Sequence, residues 1–306
     1  RLFTGNANRP LAEAICHQLG IELGDATVSE FADGETSVKI NENIRGADIF
    51  VFQPTFAPAT NLMELLVMID AVRRASARRV TAVIPYFGYQ RQDRKDQPRV
   101  PITAKLVANL ITTAGADRVM TMDLHSAQIQ GFFDIPLDHL YAAPVLVDHF
   151  VRLDLTDMVA IAPDIGSVKM ARAYAKRLGV GLAVVDKRRP RPDAVEMMNI
   201  IGEVDGKNAV IFDDILSTGS TLVEAARALR DAGARDIYAA VTHGVLCGDA
   251  IKRITDSAVK ELVITDSIPH AAGTLPPKIR MLSVAPLLAE AIRRIHDEES
   301  LSSLFI

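Results

Sequence analysis

Cysteine is scarce in this chain: Cys16 and Cys247 are the only two in 306 residues. That is too few, at too great a separation, for a disulfide framework or a thiolate zinc site, and a reducing, cytoplasmic setting is expected. No apolar run approaches the ~20 residues that a membrane span requires, and no charged n-region followed by an apolar h-region opens the chain. No membrane partner is therefore expected. A basic excess is also missing, with 34 Lys and Arg against 38 Asp and Glu, a net charge of −4 and a pI near 6.0. This argues against a general nucleic-acid binder, whose footprint is basic, and leaves any polyphosphate to local cationic clusters. HExxH is absent as well. The first residue is Arg1 rather than Met, so a native start upstream of it is expected.

At 49% hydrophobic composition the chain can bury two ordinary cores. Short β-rich runs alternate with helical patterns, which predicts parallel α/β architecture. Strands are expected at Val80 to Pro85, Arg118 to Asp123, Met158 to Asp164, Gly181 to Asp186, Ala209 to Asp213 and Ile237 to Thr242. Helices are expected around Leu62 to Val72, Ile102 to Thr113, Lys169 to Leu178, Leu222 to Ala232 and Pro286 to His296. Tyr141-Ala-Ala-Pro separates two such blocks, giving domains of 1–142 and 143–292, with the apolar tail 293–306 docking on the first.

The most informative stretch is Val210 to Thr221, VIFDDILSTGST. A buried strand, two carboxylates and a small-residue loop opening a helix form a phosphate-site layout, in which backbone N–H groups, hydroxyls and a helix dipole face an anion. Asp213 and Asp214 are acceptor-only groups suited to vicinal sugar hydroxyls or a hydrated cation. Ser217, Thr218, Gly219, Ser220 and Thr221 suit a phosphate, so ribose 5-phosphate satisfies both halves. A capped helix after an acidic turn is the plainer alternative. Asp123 with His125, Asp164, and Asp186 with Lys187 also end candidate strands, the edge where open α/β sheets bind ligands.

Asp186 to Pro192, DKRRPRP, packs four cations into five positions next to two prolines at a strand end. It is either a solvated charge run or a loop that closes over a transferring phosphoryl group. Tyr86 to Pro101, with Arg91, Gln92, Arg94 and Lys95 and no apolar period, is a candidate mobile lid over a nucleotide triphosphate, or a plain surface loop. His125 beside Asp123 is structural or, with Asp164, part of a magnesium site completed by substrate phosphates. Phe31-Ala-Asp-Gly-Glu35 is explained by turn chemistry alone; adenine stacking is the sharper reading.

Together these segments closely resemble the ribose-phosphate pyrophosphokinase family, of its phosphate-activated class. DLHSAQIQGFFDIPLD at Asp123 to Asp138 resembles that family's signature, and FADGE, PYFGYQRQDRK, PITAKLVANL, DKRRPRP and SVAPLLAEAI agree independently. The resemblance implies two phosphoribosyltransferase-like domains, each with a mainly parallel sheet flanked by helices. It also implies Mg²⁺-dependent transfer of the β,γ-diphosphoryl group of ATP to the 1-hydroxyl of ribose 5-phosphate. Its residue roles are Lys187 and Arg189 for the transition state, and Arg91 and Gln92 for ATP, with Phe31, Asp33 and Glu35 supplied by another subunit. His125 and Asp164 would meet magnesium and the ATP phosphates, and Asp123, Asp134 and Asp138 belong to the cation signature. Arg45, Ser300 and Ser302 fall in segments that resemble the shared site for activating inorganic phosphate and inhibitory ADP, in a homo-hexamer built from dimers. Ser217 stands where the family has Asp, Ser167 where it has glycine, and Met170 where it has arginine; Pro98 and Val100 depart from the lid pattern. A silent regulatory homologue that assembles with active subunits, or a salvage phosphoribosyltransferase, are the other readings.

Overall fold

The computed structural model describes residues 1–188 and 197–305. They form two compact units: Arg1–Ala142 with Ser267–Pro269 and the segment from Ser283 on, and Ala143–Asp266 with His270–Leu282.

The first unit opens with β1 (Leu2–Thr4), α1 (Arg9–Leu19), β2 (Ala26–Glu30), β3 (Thr36–Ile40) and β4 (Asp48–Phe52). It continues with α2 (Thr60–Arg74), β5 (Arg79–Ile84), α3 (Thr103–Ala114), β6 (Arg118–Met122) and β7 (Leu137–Leu140). Asn8 starts α1 by accepting from Leu11 N at 3.3 Å, and Gly20 ends it in a left-handed conformation. The five-stranded sheet runs β1-β4-β5-β6-β7 with every neighbour parallel, while β2 and β3 form a separate antiparallel pair. β4 and most of β5 are buried on both faces, which is why they read as unbroken apolar runs. Leu65, Ile69 and Val72 of α2 and Val107 and Ile111 of α3 cover the sheet.

The second unit holds α4 (Ala143–Arg152), β8 (Met158–Ala162), α5 (Val168–Leu178), β9 (Gly181–Arg188), β10 (Met197–Ile201) and β11 (Asn208–Leu216). It ends with α6 (Ser220–Asp231), β12 (Ile237–Gly244), α7 (Ala250–Thr255), β13 (Val259–Thr265) and β14 (Ile279–Leu282). Its sheet runs β10-β9-β8-β11-β12-β13-β14, parallel except for β10. Phe212 stacks on Tyr174 with ring centroids 4.1 Å apart, and Phe150 meets Phe212 edge-on at 5.9 Å.

The α/β class and its parallel sheets are as expected. Three details differ. β11 runs past Asp213 to Leu216, because Ile215 and Leu216 still pair with His243 and Gly244 of β12. β1, β2, β3, β4, β7, β10, β13 and β14 and the helices α1, α4 and α7 are not among the expected elements. The last helix, α8 (Ala285–His296), lies wholly in the first unit, so the expected boundary at residue 292 moves to Leu282. The cause is local: α8 packs on α1, Arg79 Nη2 donates to Ile295 O at 2.9 Å, and His296 Nδ1 lies 2.8 Å from Asp48 Oδ2.

Candidate active site

In the second unit, β11 delivers Asp213 and Asp214 and then turns through Ser217–Thr218–Gly219 into α6. Gly219 holds φ +76, a left-handed conformation that side chains rarely adopt, at the N-cap of α6. No side chain among the described residues caps that end, so its first N–H groups stay available to an anion. The loop is braced from the β12–α7 connection and from α7. Cys247 N donates to Ser217 O at 3.0 Å, and Cys247 Sγ lies 3.1 Å from Ser217 Oγ. Arg253 Nη1 donates to Ser220 Oγ at 2.9 Å and to Thr218 O at 3.3 Å.

Carboxylates gather beside this loop. Ser167 Oγ sits 2.9 Å from Asp164 Oδ1 and 3.5 Å from Asp213 Oδ1, and Ser167 N donates to Asp164 Oδ1 at 2.8 Å. Burial, then the charges of Asp214 and Asp164, hold the Asp213 carboxyl well above the usual carboxylate range. A cluster of this kind favours a cation or the hydroxyl donors of a sugar, either of which offsets the mutual repulsion.

In the first unit, the segment after β6 is pinned group by group. Asp123 has φ +37, and its Oδ2 accepts from Ala142 N at 2.9 Å. Leu124 N donates to His139 Nε2 at 2.9 Å, and His125 N to Gln90 Oε1 at 2.7 Å. Gln90 belongs to the basic loop that follows β5. At its root Gly88 N donates to Thr55 Oγ1 at 2.8 Å, and a Cβ on Gly88 would stand 2.0 Å from Thr55 O. Further along, Gln92 Oε1 accepts from Thr103 Oγ1 at 2.5 Å and Gln92 O from Ala104 N at 3.2 Å, so Gln92 anchors the loop to α3. Arg91 is exposed.

Comparison with known proteins adds a second kind of observation. Residues 1–115 match the N-terminal domain of ribose phosphate pyrophosphokinase, and residues 187–306 match the phosphoribosyl synthetase-associated domain. The ribose-phosphate pyrophosphokinase of Rhizobium meliloti (strain 1021) is 59% identical, covering 100% of this chain and 99% of that one. The chain belongs to the ribose-phosphate pyrophosphokinase family. The Rhodopirellula baltica pyrophosphokinase is 56% identical over 100% of this chain and 98% of its own length. The phosphoribosylpyrophosphate synthetase structure from Mycobacterium smegmatis is 41% identical with a TM-score of 0.91, covering 97% of this chain and 98% of that one.

Other residues of the expected site lie as follows. Phe31 is 58% exposed at the tip of the β2–β3 hairpin, where Asp33 Oδ1 accepts from Glu35 N at 3.2 Å. Lys187 is on β9 opposite Met198 of β10, and Arg189 lies outside the described residues. Asp123, Asp134 and Asp138 are not brought together as one ligand set. Asp123 is buried against Ala142 N, Asp134 is exposed and 3.9 Å from Lys105 Nζ, and Asp138 pairs with Arg118 Nη1 at 2.7 Å. No group of three or more His, Cys, Asp or Glu side chains able to hold a metal ion is present among the described residues.

Ser300 and Ser302 line a cavity of about 580 Å³ in the first unit with Arg79, Arg118 and Asp138. Arg45 is exposed elsewhere, on the β3–β4 connection, and is not among its lining residues. Sequence reading missed Arg253, Ser167 as a bridge, and Gln90. Arg253 acts across 33 residues, and a glutamine inside a polar loop carries no outward sign of burial.

Proposed function

We propose that this chain transfers the β,γ-diphosphoryl group of ATP to the anomeric hydroxyl of ribose 5-phosphate, giving 5-phosphoribosyl 1-diphosphate and AMP. The observation that carries this reading is full-length identity of 53–59% to curated ribose-phosphate pyrophosphokinases, borne on a loop and carboxylate cluster of matching chemistry.

In this reading the Ser217 to Thr221 loop and the α6 N-terminus take the 5-phosphate, and Asp213 and Asp214 accept from the ribose hydroxyls. That leaves the anomeric oxygen as the group to attack the β-phosphorus, with AMP leaving and the hydroxyl proton released. Lys187 and Arg189 supply cationic charge to the transferring group, where electrostatic stabilisation provides most of the catalysis. Arg91, Gln92 and His125 bind the ATP phosphates, and the exposed hairpin carrying Phe31, Asp33 and Glu35 serves the adenine of a neighbouring copy in a hexamer built from dimers.

Magnesium fits the residues present. Asp164, Asp213 and Asp214 offer oxygen donors under mutual repulsion, and Mg²⁺ characteristically takes one or two carboxylates and keeps the rest of its shell for water and substrate phosphates. When bound it neutralises the phosphate charge of ATP. Asp164 is proposed to face it in the second unit, and His125 of the first unit to serve the ATP phosphates and their cation. An activating inorganic phosphate is assigned to Ser300 and Ser302 with Arg45 at a subunit contact, although the cavity beside the two serines also holds Asp138, Glu298 and Glu299, and its Arg79 and Arg118 are paired with Asp48 and Asp138. The two free cysteines fit a reducing compartment such as the cytoplasm.

The test is AMP release from ATP with and without ribose 5-phosphate. Release that depends on ribose 5-phosphate, without ADP, is expected. No turnover by well-folded protein would instead support a regulatory subunit.

A further inference from the structure

The segment that follows β6 passes from the interior to the surface within three residues: Asp123 and Leu124 are buried and His125 is exposed. The direction of an exposed side chain rests on the main chain beneath it, and here each consecutive N–H is held by a partner outside the segment. Asp123 N donates to Leu140 O at 2.9 Å, Leu124 N to His139 Nε2 at 2.9 Å and His125 N to Gln90 Oε1 at 2.7 Å. Asp123 has a left-handed φ of +37, a conformation that needs support, and its Oδ2 accepts from Ala142 N at 2.9 Å.

Among these partners His139 is the one whose hydrogen-bonding role depends on where its proton sits. A backbone N–H can only donate, so Nε2 must accept and the ring proton belongs on Nδ1. That fixes a neutral ring in one tautomer. The Gln130 amide lies 3.3 Å from Nδ1 and can accept that proton only through its Oε1. The Tyr141 ring lies against the imidazole with centroids 4.5 Å apart, and His139 is only 8% exposed, so water has little access to replace Nε2 at the Leu124 amide. A buried N–H that lost this acceptor would have to find another by moving the main chain.

We propose that His139 is a positioning residue for nucleotide binding: its neutral ring, through Nε2, fixes the Leu124 amide and with it the main chain from which His125 meets the ATP phosphates. The inference rests on the assignment of His125 to those phosphates. His139 itself touches neither substrate. Its effect passes through one hydrogen bond to the residue before His125, so it falls on ATP and does not extend to ribose 5-phosphate, whose proposed loop is in the other unit.

Three substitutions test this in the intact protein. His139→Leu fills the buried space and removes the acceptor; His139→Gln and His139→Asn place an amide oxygen on a longer and a shorter arm. Binding of Mg²⁺–α,β-methylene ATP is measured by titration calorimetry, alongside KM for ATP and for ribose 5-phosphate, the melting temperature, and deuterium exchange in the peptide that carries residues 123–126. His139→Leu should weaken analogue binding and raise KM for ATP by about tenfold, the scale of one misdirected hydrogen bond to a charged group, with KM for ribose 5-phosphate within about twofold of wild type. It should also speed exchange in that peptide. At least one of the two amide variants should restore analogue binding, KM for ATP and slow exchange. Wild-type analogue affinity in folded His139→Leu overturns the proposal, as does a lowered melting temperature with both KM values raised alike, the mark of a purely structural role. If His139→Leu does not fold, weakened analogue binding in both folded amide variants overturns it, and wild-type affinity in either one supports it. Failure of wild-type protein to bind the analogue would overturn the ATP assignment itself, and AMP release by wild type tests the reaction independently of any variant.

Discussion

Arg253 reaches from α7 to the first residue of α6, donating from Nη1 to Ser220 Oγ at 2.9 Å. The same guanidinium nitrogen contacts Thr218 O, so one cation holds both sides of Gly219. Its positive charge stands beside the loop assigned to the 5-phosphate. Arg253→Ala should therefore raise KM for ribose 5-phosphate by about tenfold, the scale of a lost charge-assisted hydrogen bond, with little change in KM for ATP. Arg253→Lys should recover part of the loss through charge alone. Steady-state kinetics with each substrate varied decides this; equal rises in both KM values would reduce Arg253 to general support of the fold.

Asp213 gives a pH dependence with a defined sign. Burial, then Asp214 and Asp164, raise its carboxyl, so in the folded chain it keeps its proton to higher pH than in the unfolded chain. Its contribution to stability is fully present below the ordinary carboxylate range and is lost as pH rises through the raised value. In chelator, Asp213→Asn should melt above wild type at pH 8 and close to it at about pH 4, where an ordinary carboxyl is half protonated. It should also weaken ribose 5-phosphate binding, since an amide replaces an acceptor-only group. A melting temperature for Asp213→Asn at or below wild type at pH 8 would contradict the assigned repulsion.

Asp48 behaves in the opposite way. Burial by itself would raise its carboxyl, but hydrogen bonds from Arg79 and His296 outweigh that and hold it below the usual range. Its contribution is present above the ordinary carboxylate value and is lost as pH falls through the lowered one. The side chain is 2% exposed and meets Arg79 Nε at 2.8 Å and His296 Nδ1 at 2.8 Å, so it fastens β5 and α8 to β4. Asp48→Ala should destabilise by about 3 kcal/mol, as loss of one partner from a buried ion pair does. Urea unfolding followed from pH 7 toward pH 3 should show wild type and variant converging in acid; parallel curves would remove the ion pair from the account.

The sequence made the parts with a strong local pattern legible, above all β11 and the loop after it. A strand buried on both faces is an apolar run, and a loop that turns tightly into a helix needs glycine and small hydroxyl residues. The position of α8 was not legible, because its place in the first unit depends on Asp48 and Arg79, more than 200 residues earlier. The Asp123 to Asp138 signature was recognised as a whole, yet its three aspartates part company in the fold: one caps Ala142 N, one is exposed, and one pairs with Arg118 across β6 and β7. Arg253 and Gln90 escaped notice because their roles depend on which groups they meet in space, and neither sits at a spacing that would announce it.

The central claim is attack by the anomeric oxygen of ribose 5-phosphate on the β-phosphorus of ATP. Ribose 5-phosphate labelled with ¹⁸O at the 1-hydroxyl, incubated with ATP, Mg²⁺ and the protein and followed by ³¹P NMR, tests it directly. The account predicts AMP and 5-phosphoribosyl 1-diphosphate in equal amounts, with the label retained between C1 and phosphorus and an isotope shift on the phosphorus bonded to it. Product without the label, or ADP in place of AMP, would contradict it.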